Sequence, residues 1–462
     1  MELLTKSASV FHLIITRRNA SEILLLPNGP GWMLPRVEID LEQRLAEQLT
    51  AEVARAWRLE AYCLLVTDVP KNGANALRCA VMEVIRQNEK SQPGTYWIPR
   101  SVATRCCHSP ETAAINESLA QLDGYAKGQG AGHFACSGWL RELFRWTHEQ
   151  IAPRGLRLTG AFRQLNASPT FSLIRFETDL GAVWFKATGA PNAHELPVTL
   201  VLARLFPRYL PTVLGVHHAR NGWLSEEASG TSLDEILEFA AWERIAEQLA
   251  ALQIASIGKT AELLEAPLRD LRIPRLVERI DPFIKRMGEL MAAQKKPAPP
   301  PLDRSELETL GEGLRECCAL LASFGLPDTV GHTDCNPGNI IVSEDRCVFL
   351  DWSEACVTNP LLTFQFLREY MTRGEIAEPA GGEGLAAAYL RPWKGLYSSS
   401  DLRRALALAP LIAIFAYAVA ADSWRTVDPV SDPKLAGYFR SLARRMYREA
   451  IEAAERSELC LD

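Results

Sequence analysis

Residues Gly331 to Glu354 read GHTDCNPGNIIVSEDRCVFLDWSE. The string opens on a turn carrying Asp334 and Asn339 and continues into a short apolar strand. It reverses at Ser343-Glu344-Asp345 and returns as a second apolar strand, Cys347 to Leu350, that ends on Asp351. A two-stranded ribbon of this kind gathers three oxygen-bearing side chains at one end. Metal-assisted phosphoryl transfer asks for that set. One carboxylate orients an attacking hydroxyl and accepts its proton, while an amide and a second carboxylate hold magnesium against the phosphates. A plainer reading makes Asp334 and Asn339 no more than an Asx-type turn. It leaves the spacing to Asp351 unexplained.

The spacing H-x-D-x-x-x-x-N, followed after about a dozen residues by D at the end of an apolar strand, is similar to the catalytic and metal-binding segments of kinases. More closely, His332, Asp334, Pro337, Gly338, Asn339, Asp351 and Trp352 resemble the pattern of the aminoglycoside phosphotransferase and choline kinase group. Its members carry a motif close to H-G-D-x-x-x-x-N, then hydrophobics and I-D-W/F. The resemblance implies that Asp334 is the catalytic base, that Asn339 and Asp351 are magnesium ligands, and that His332 braces the loop. It implies ATP and Mg2+ as cofactors and a bilobal, protein-kinase-like α+β fold, with a small β-rich nucleotide lobe and a large helical lobe. Thr333, where glycine is usual, and Cys335-Asn336, where Leu-His is frequent, depart from the pattern on the acceptor side.

Upstream, Phe171 to Phe176 and Val183 to Phe185 are two β-prone runs joined by the turn Thr178-Asp179-Leu180-Gly181. Lys186 follows the second run. A lysine there can place its ammonium on the phosphates of ATP, with Glu195 as the ion-pair partner that holds it extended. Glu177 and Asp179 compete as partners, and an exposed strand lysine is the bland alternative. Before the first run, Asn166-Ala167-Ser168-Pro169-Thr170 stands where kinases usually place glycines. Ser168 and Thr170 are then the candidates to donate hydroxyls to a phosphate. Glu226, Glu227 and Ala228 form the expected hinge, where backbone groups receive the adenine, and Thr231 or Ser232 is positioned to cap a helix from Leu233. Helical periodicity follows over 233–254, 276–294, 303–324, 361–373, 401–421 and 433–457, with Pro297 to Pro301 as a stiff connection.

Residues 1–125 form a different domain. GWMLPRVEIDLEQRLAEQLTAEVARAWRLEAY resembles the Nudix hydrolase box, with YWIPRSV as a late strand and PETAAINESLAQL as a closing helix. The resemblance implies an α/β/α domain. Arg36-Val37 replace the two glycines of the box, and only Glu52 remains of its metal-binding carboxylates. This domain is expected to lack hydrolase chemistry. Residues 126–150 are read as linker and helix, with a glycine-rich run from Gly124 to His133 and an amphipathic helix from Trp139 to Ile151. Residues 151–228 are then the nucleotide lobe and 229–462 the helical lobe.

The 462 residues carry a net charge of −6, which argues against a nucleic-acid partner. Eleven cysteines lie without a C-x-x-C pair and read as reduced thiols in a cytoplasmic protein; Cys106-Cys107-His108 is not expected to bind metal. The apolar run Ala405 to Ala421 is interrupted by Pro410 and falls short of the ~20 residues of a bilayer span, so it is read as a buried helix and no membrane partner is expected. The expected function is ATP- and Mg2+-dependent phosphorylation of a hydroxyl on a small molecule, aminoglycoside-, sugar- or amino-alcohol-like. A kinase-like binding protein of weak or no activity and a kinase for peptide hydroxyls are the alternatives. No A-P-E sequence follows Asp351, which weighs against the last. Glu354 and Glu369, or an aromatic cage from Tyr370, Tyr389, Trp393, Tyr417 and Trp424, are the candidates to receive a cationic acceptor.

Overall fold

A computed structural model describes residues 8–71, 74–87, 94–129, 134–374, 376 and 384–459. It divides the chain into two compact units, residues 1–196 with 212–227, and residues 197–211 with 228–462.

The first unit opens with a mixed sheet. Strands β1 (Ala8–Arg17), β2 (Glu22–Asn28), β3 (Gly31–Met33), β4 (Arg36–Asp40), β5 (Leu59–Lys71), β6 (Ala74–Gln87) and β7 (Tyr96–Pro99) form it in the order β3-β2-β1-β6-β5, with β4 on β1 and β7 on β2. β1 and β6 run parallel; the other pairs are antiparallel. Alternation along β1 sends its side chains to both faces. Phe11, Leu13 and Ile15 share one core with Leu49 and Val53 of helix α1 (Leu45–Trp57), whereas Ile14 belongs to another with Ile115 and Leu119 of α3 (Ser109–Ala126). Helix α2 (Arg100–Cys106) follows β7 directly. The sheet is therefore covered on both faces. Glu52, on α1, is ion-paired with Arg55.

Helix α4 (Trp139–Ile151) leads into a second, antiparallel sheet of β8 (Leu158–Ala167), β9 (Phe171–Thr178), β10 (Gly181–Thr188), β11 (Val213–His217) and β12 (Gly222–Glu226), ordered β11-β12-β10-β9-β8. The expected division at residue 125 differs from what is found. One apolar core runs from Tyr62, Leu64 and Val81 of the first sheet, through Trp139, Leu140 and Leu143 of α4, to Phe176, Phe185 and Leu224 of the second. Buried Glu83 accepts hydrogen bonds from the Tyr62 hydroxyl, from the Gly138 amide at 2.6 Å and from Arg141 at 2.9 Å, which pins the start of α4. Gln164 pairs with both backbone groups of Cys63, at 2.7 and 2.8 Å. The expected linker is also different at its start. Gly124 to Ala126 complete α3, Gly128 at φ +76° closes its C-terminus, and 130–133 lie outside the described residues.

The second unit receives helix α5 (Glu195–Leu205) after its first residues and is otherwise built from helices. These are α6 (Phe239–Ala255), α7 (Thr260–Glu265), α8 (Ile273–Ala292), α9 (Arg304–Ser323), α10 (Pro360–Arg373), α11 (Gly384–Leu390), α12 (Ser399–Val419), α13 (Ser423–Thr426) and α14 (Pro433–Leu459). Asp303 and Glu306 form a capping box at the start of α9. Among the described residues, α12 is the one helix long and apolar enough to cross a membrane, and 72% of its apolar window is buried against the rest of the unit. Two small sheets complete the unit. β13 (Thr231–Ser232), β16 (Ile340–Val342) and β17 (Cys347–Phe349) form one; β14 (Arg269–Leu271), β18 (Ala355–Thr358) and β15 (Thr329–His332) form the other. The expected helix from Leu233 begins at Phe239 instead. Thr231 and Ser232 do not cap it, because they pair with Val342 and Ile341.

Candidate active site

Strand β15 is buried along its length and delivers the chain to the functional turn. A side chain at Gly331 would come within 2.6 Å of Thr358 and 2.7 Å of the Thr363 hydroxyl, so only glycine fits there. His332 is buried. Its Nδ1 accepts from the Asp334 amide at 3.2 Å, so its Nε2 carries the proton and donates to the Leu350 carbonyl, also at 3.2 Å. Burial lowers its pKa and keeps the ring neutral. The ring thereby ties the Asp334 turn to the strand that ends on Asp351.

The Asx turn belongs to Asn336, whose Oδ1 accepts from the Gly338 amide at 2.9 Å. That leaves Asp334 and Asn339 for other work. Asn339 Nδ2 donates to Asp334 Oδ2 at 3.5 Å, and the Tyr370 hydroxyl donates to Asp334 Oδ1 at 2.9 Å. The Asn339 carbonyl receives the Leu350 amide at 2.8 Å, extending the β16–β17 ladder by one step. Asp351 follows with φ 59° and ψ 61°, a left-handed conformation that costs a non-glycine residue about 1 kcal/mol or more. Its carboxylate is exposed and accepts from Ser353 at 3.0 Å. One unit thus brings His332, Asp334, Asn339 and Asp351 to the end of one ribbon.

In the other unit, Lys186 on β10 pairs with Glu195 at the start of α5, at 2.5 Å. The Lys186 side chain is 14% exposed and that of Glu195 only 1%, which excludes a plain surface lysine. Phe171 and Trp223 flank the ammonium at 5.7 and 5.8 Å from their ring centres. The competing acids are used elsewhere: Glu177 pairs with Arg175, and Asp179 accepts from the Arg157 amide at 2.9 Å. Ser168 and Thr170 lie in the β8–β9 turn. The Ser168 hydroxyl accepts from the Thr170 amide at 3.3 Å, and the Thr170 carbonyl accepts from Gly189. Ser168 therefore shapes its own turn. Of the expected hinge, Glu226 is exposed, Glu227 is held by Arg175 and Trp184, and the chain passes from one unit to the other between Glu227 and Ala228.

The acceptor-side expectations need correction. Tyr389, Trp393 and Trp424 are core residues, at most 1% exposed, and form no cage. Glu354 is paired with Arg269, and Glu369 with Arg373 and Arg445, so both carboxylates are already matched by cations. Of the proposed cage, Tyr370 and Tyr417 remain, the latter exposed. The hydrogen bond from Tyr370 to Asp334 was not legible: the two are far apart in sequence, and tyrosine on an amphipathic helix reads as core. Burial and the neighbouring Asp334 charge push the Tyr370 phenol up, so it stays a donor.

Residues 193–399 match the model of the phosphotransferase enzyme family. A search of curated protein sequences gave no match. Among solved structures, a choline/ethanolamine kinase family protein from Mesorhizobium loti is 17% identical, with a TM-score of 0.45 over 67% of this chain and 94% of that one. Ethanolamine kinase from Plasmodium vivax is 15% identical, with a TM-score of 0.46 over 76% and 99%. The GDP complex of aminoglycoside 2'-phosphotransferase-IIIa is 15% identical, with a TM-score of 0.43 over 68% and 99%. The family match falls on the stretch that holds Glu195, His332, Asp334, Asn339 and Asp351, and residues 193–399 are accordingly a phosphotransferase-family domain of an enzyme that phosphorylates hydroxyl groups.

Proposed function

We propose that the chain is an ATP- and Mg2+-dependent kinase of protein-kinase-like, bilobal architecture that phosphorylates a hydroxyl on a small molecule. The observation that carries this reading is the Asp334 carboxylate, held by Asn339 and Tyr370 on a loop braced by neutral His332. Asp334 orients the acceptor hydroxyl and takes its proton as the oxygen attacks the γ-phosphate. Lys186, extended by Glu195, neutralises nucleotide phosphate charge, and the backbone of 226–228 receives the base. Asn339 and Asp351 would hold magnesium, which neutralises phosphate charge when bound. Their oxygens suit a hard cation. Among the described residues no three His, Cys, Asp or Glu side chains cluster as a metal site, so two protein ligands would be completed by the nucleotide's phosphates.

The arginine-matched Glu354 and Glu369 favour an acceptor that packs against Tyr370 and Tyr417 over one gripped by acidic side chains. We read residues 1–125 as a Nudix-like fold without hydrolase activity. Helices on both faces of a mixed sheet and the engagement of Glu52 by Arg55 support this. The ten cysteines among the described residues form no disulfide, which supports a cytoplasmic setting.

The test separates chemistry from binding. With an acceptor found by screening hydroxylated small molecules for ATP consumption, Asp334→Asn should lower turnover by about 10²–10⁴ with nucleotide affinity nearly unchanged. Asp351→Ala should lose turnover and the magnesium-dependent part of nucleotide affinity, read by calorimetry with and without magnesium. Near-normal turnover in Asp334→Asn removes the proposed base.

A further inference from the structure

A cavity of about 280 Å3 opens on the helical unit among α10, α11 and the first half of α12. Among the described residues its charged lining is of one sign: Arg368 of α10, Lys394 in the turn after α11, and Arg403 of α12. Leu390, Leu406 and Pro410 supply apolar wall. None of Asp334, Asn339 and Asp351 lines it.

Two neighbouring arginines are matched by carboxylates: Arg373 pairs with Glu369, and Arg391 with Glu247. Among the described residues no carboxylate forms an ion pair with Arg368, Lys394 or Arg403. Asp401, the acid nearest in sequence to Arg403, is bonded by the Ser398 hydroxyl at 2.7 Å. The chain holds 56 acidic against 50 basic residues, so three cations around one cavity run against its overall balance. Arg368 is half-buried and Lys394 and Arg403 are exposed, so the cavity presents positive charge at its mouth, where it can attract an anion.

We propose that this cavity binds a small amphipathic anion, a phosphate monoester on a compact apolar body. The guanidinium forks of Arg368 and Arg403 suit a phosphate's oxygens, with Lys394 as a point charge. The aliphatic wall takes the apolar body, and the volume fits one ring with its head group; a full nucleotide needs a larger pocket. Because the catalytic residues do not line it, occupancy does not compete with nucleotide.

Phenyl phosphate is the probe, titrated calorimetrically into the full chain at low ionic strength with ADP and magnesium saturating. Binding is expected for phenyl phosphate, weaker binding for inorganic phosphate, and none for benzyl alcohol. Arg368→Gln and Arg403→Gln should each weaken it by roughly tenfold or more, the effect of removing one charge-assisted hydrogen bond. Arg404→Gln, next to the cavity but stacked on Phe324, should change nothing. Lys394→Gln, on an exposed turn, gives the same reading should either arginine variant fail to fold. Absence of millimolar binding in the wild type, equal affinity across these variants, or equal binding of benzyl alcohol overturns the proposal.

Discussion

At the scale of residues, the site works through how a few polar groups are committed. Asp334 receives an amide and a phenol, and His332 receives the Asp334 amide because burial keeps the ring neutral. The sign of the pH effect follows. The unfolded chain protonates this histidine near its ordinary value of about 6.5, while the folded chain resists, so the stability from the neutral ring is complete above that pH. It falls as pH drops toward the lower folded-state value. His332→Asn should cost about 1–3 kcal/mol at pH 8, by loss of the bracing bonds. The gap to wild type should narrow by pH 5.5, read from urea melts at both values. A gap constant with pH would mean that His332 is not held neutral. The motif made His332, Asp334, Asn339 and Asp351 legible, because local spacing encodes them. Tyr370 was not, since its contact depends on how α10 packs.

At the scale of elements, the long helices were legible because their apolar periodicity is set by burial of one face. The expected span 303–324 became Arg304–Ser323, and 361–373 became Pro360–Arg373. What escaped were pairings between distant segments. Arg269–Leu271 joins Cys356–Thr358 in parallel, and Thr231–Ser232 reads as a cap yet serves as a strand. That last pairing joins the segment after the hinge to the catalytic ribbon, and Gly230 makes it possible. Its φ is +136°, and a Cβ there would stand 2.2 Å from the Val342 carbonyl oxygen. Gly230→Ala meets both backbone strain and a collision with main chain, which cannot rotate away. A loss of about 2–4 kcal/mol is expected, with weakened magnesium-dependent nucleotide affinity as Asn339 and Asp351 lose their ribbon. Thermal melts and calorimetry read the two effects. A melt within a degree of wild type would show that β13 is dispensable.

At the scale of the whole molecule, composition and patterning gave a β-rich part followed by a helical one, but placed a boundary where the chain has a shared core. Glycine-rich sequence before Phe134 reads as a hinge between independent cores. Yet Trp139 of α4 makes edge contacts with Tyr62 and Phe134, at 6.0 and 5.5 Å between ring centres, and Phe144 packs on Phe162 and Phe176. Helix α4 is thus buried by the first sheet and against the second. A protein beginning at Phe134 would expose Trp139 and Leu140, strip Gly138 and Arg141 of their Glu83 partner, and leave Gln164 without Cys63. Exposing several large apolar side chains at about 1.5–3 kcal/mol each exceeds the stability margin of a typical domain. The truncated chain should aggregate or melt well below the full chain, and limited proteolysis of the full chain should yield no stable fragment starting near 134. Glu83→Gln is the milder probe. It keeps shape and one acceptor but loses the charge facing Arg141, and should cost about 1–2 kcal/mol, since Arg141 is half exposed. A soluble 134–462 protein that melts cooperatively at the full chain's temperature would show that the shared core contributes little and that the two sheets fold independently.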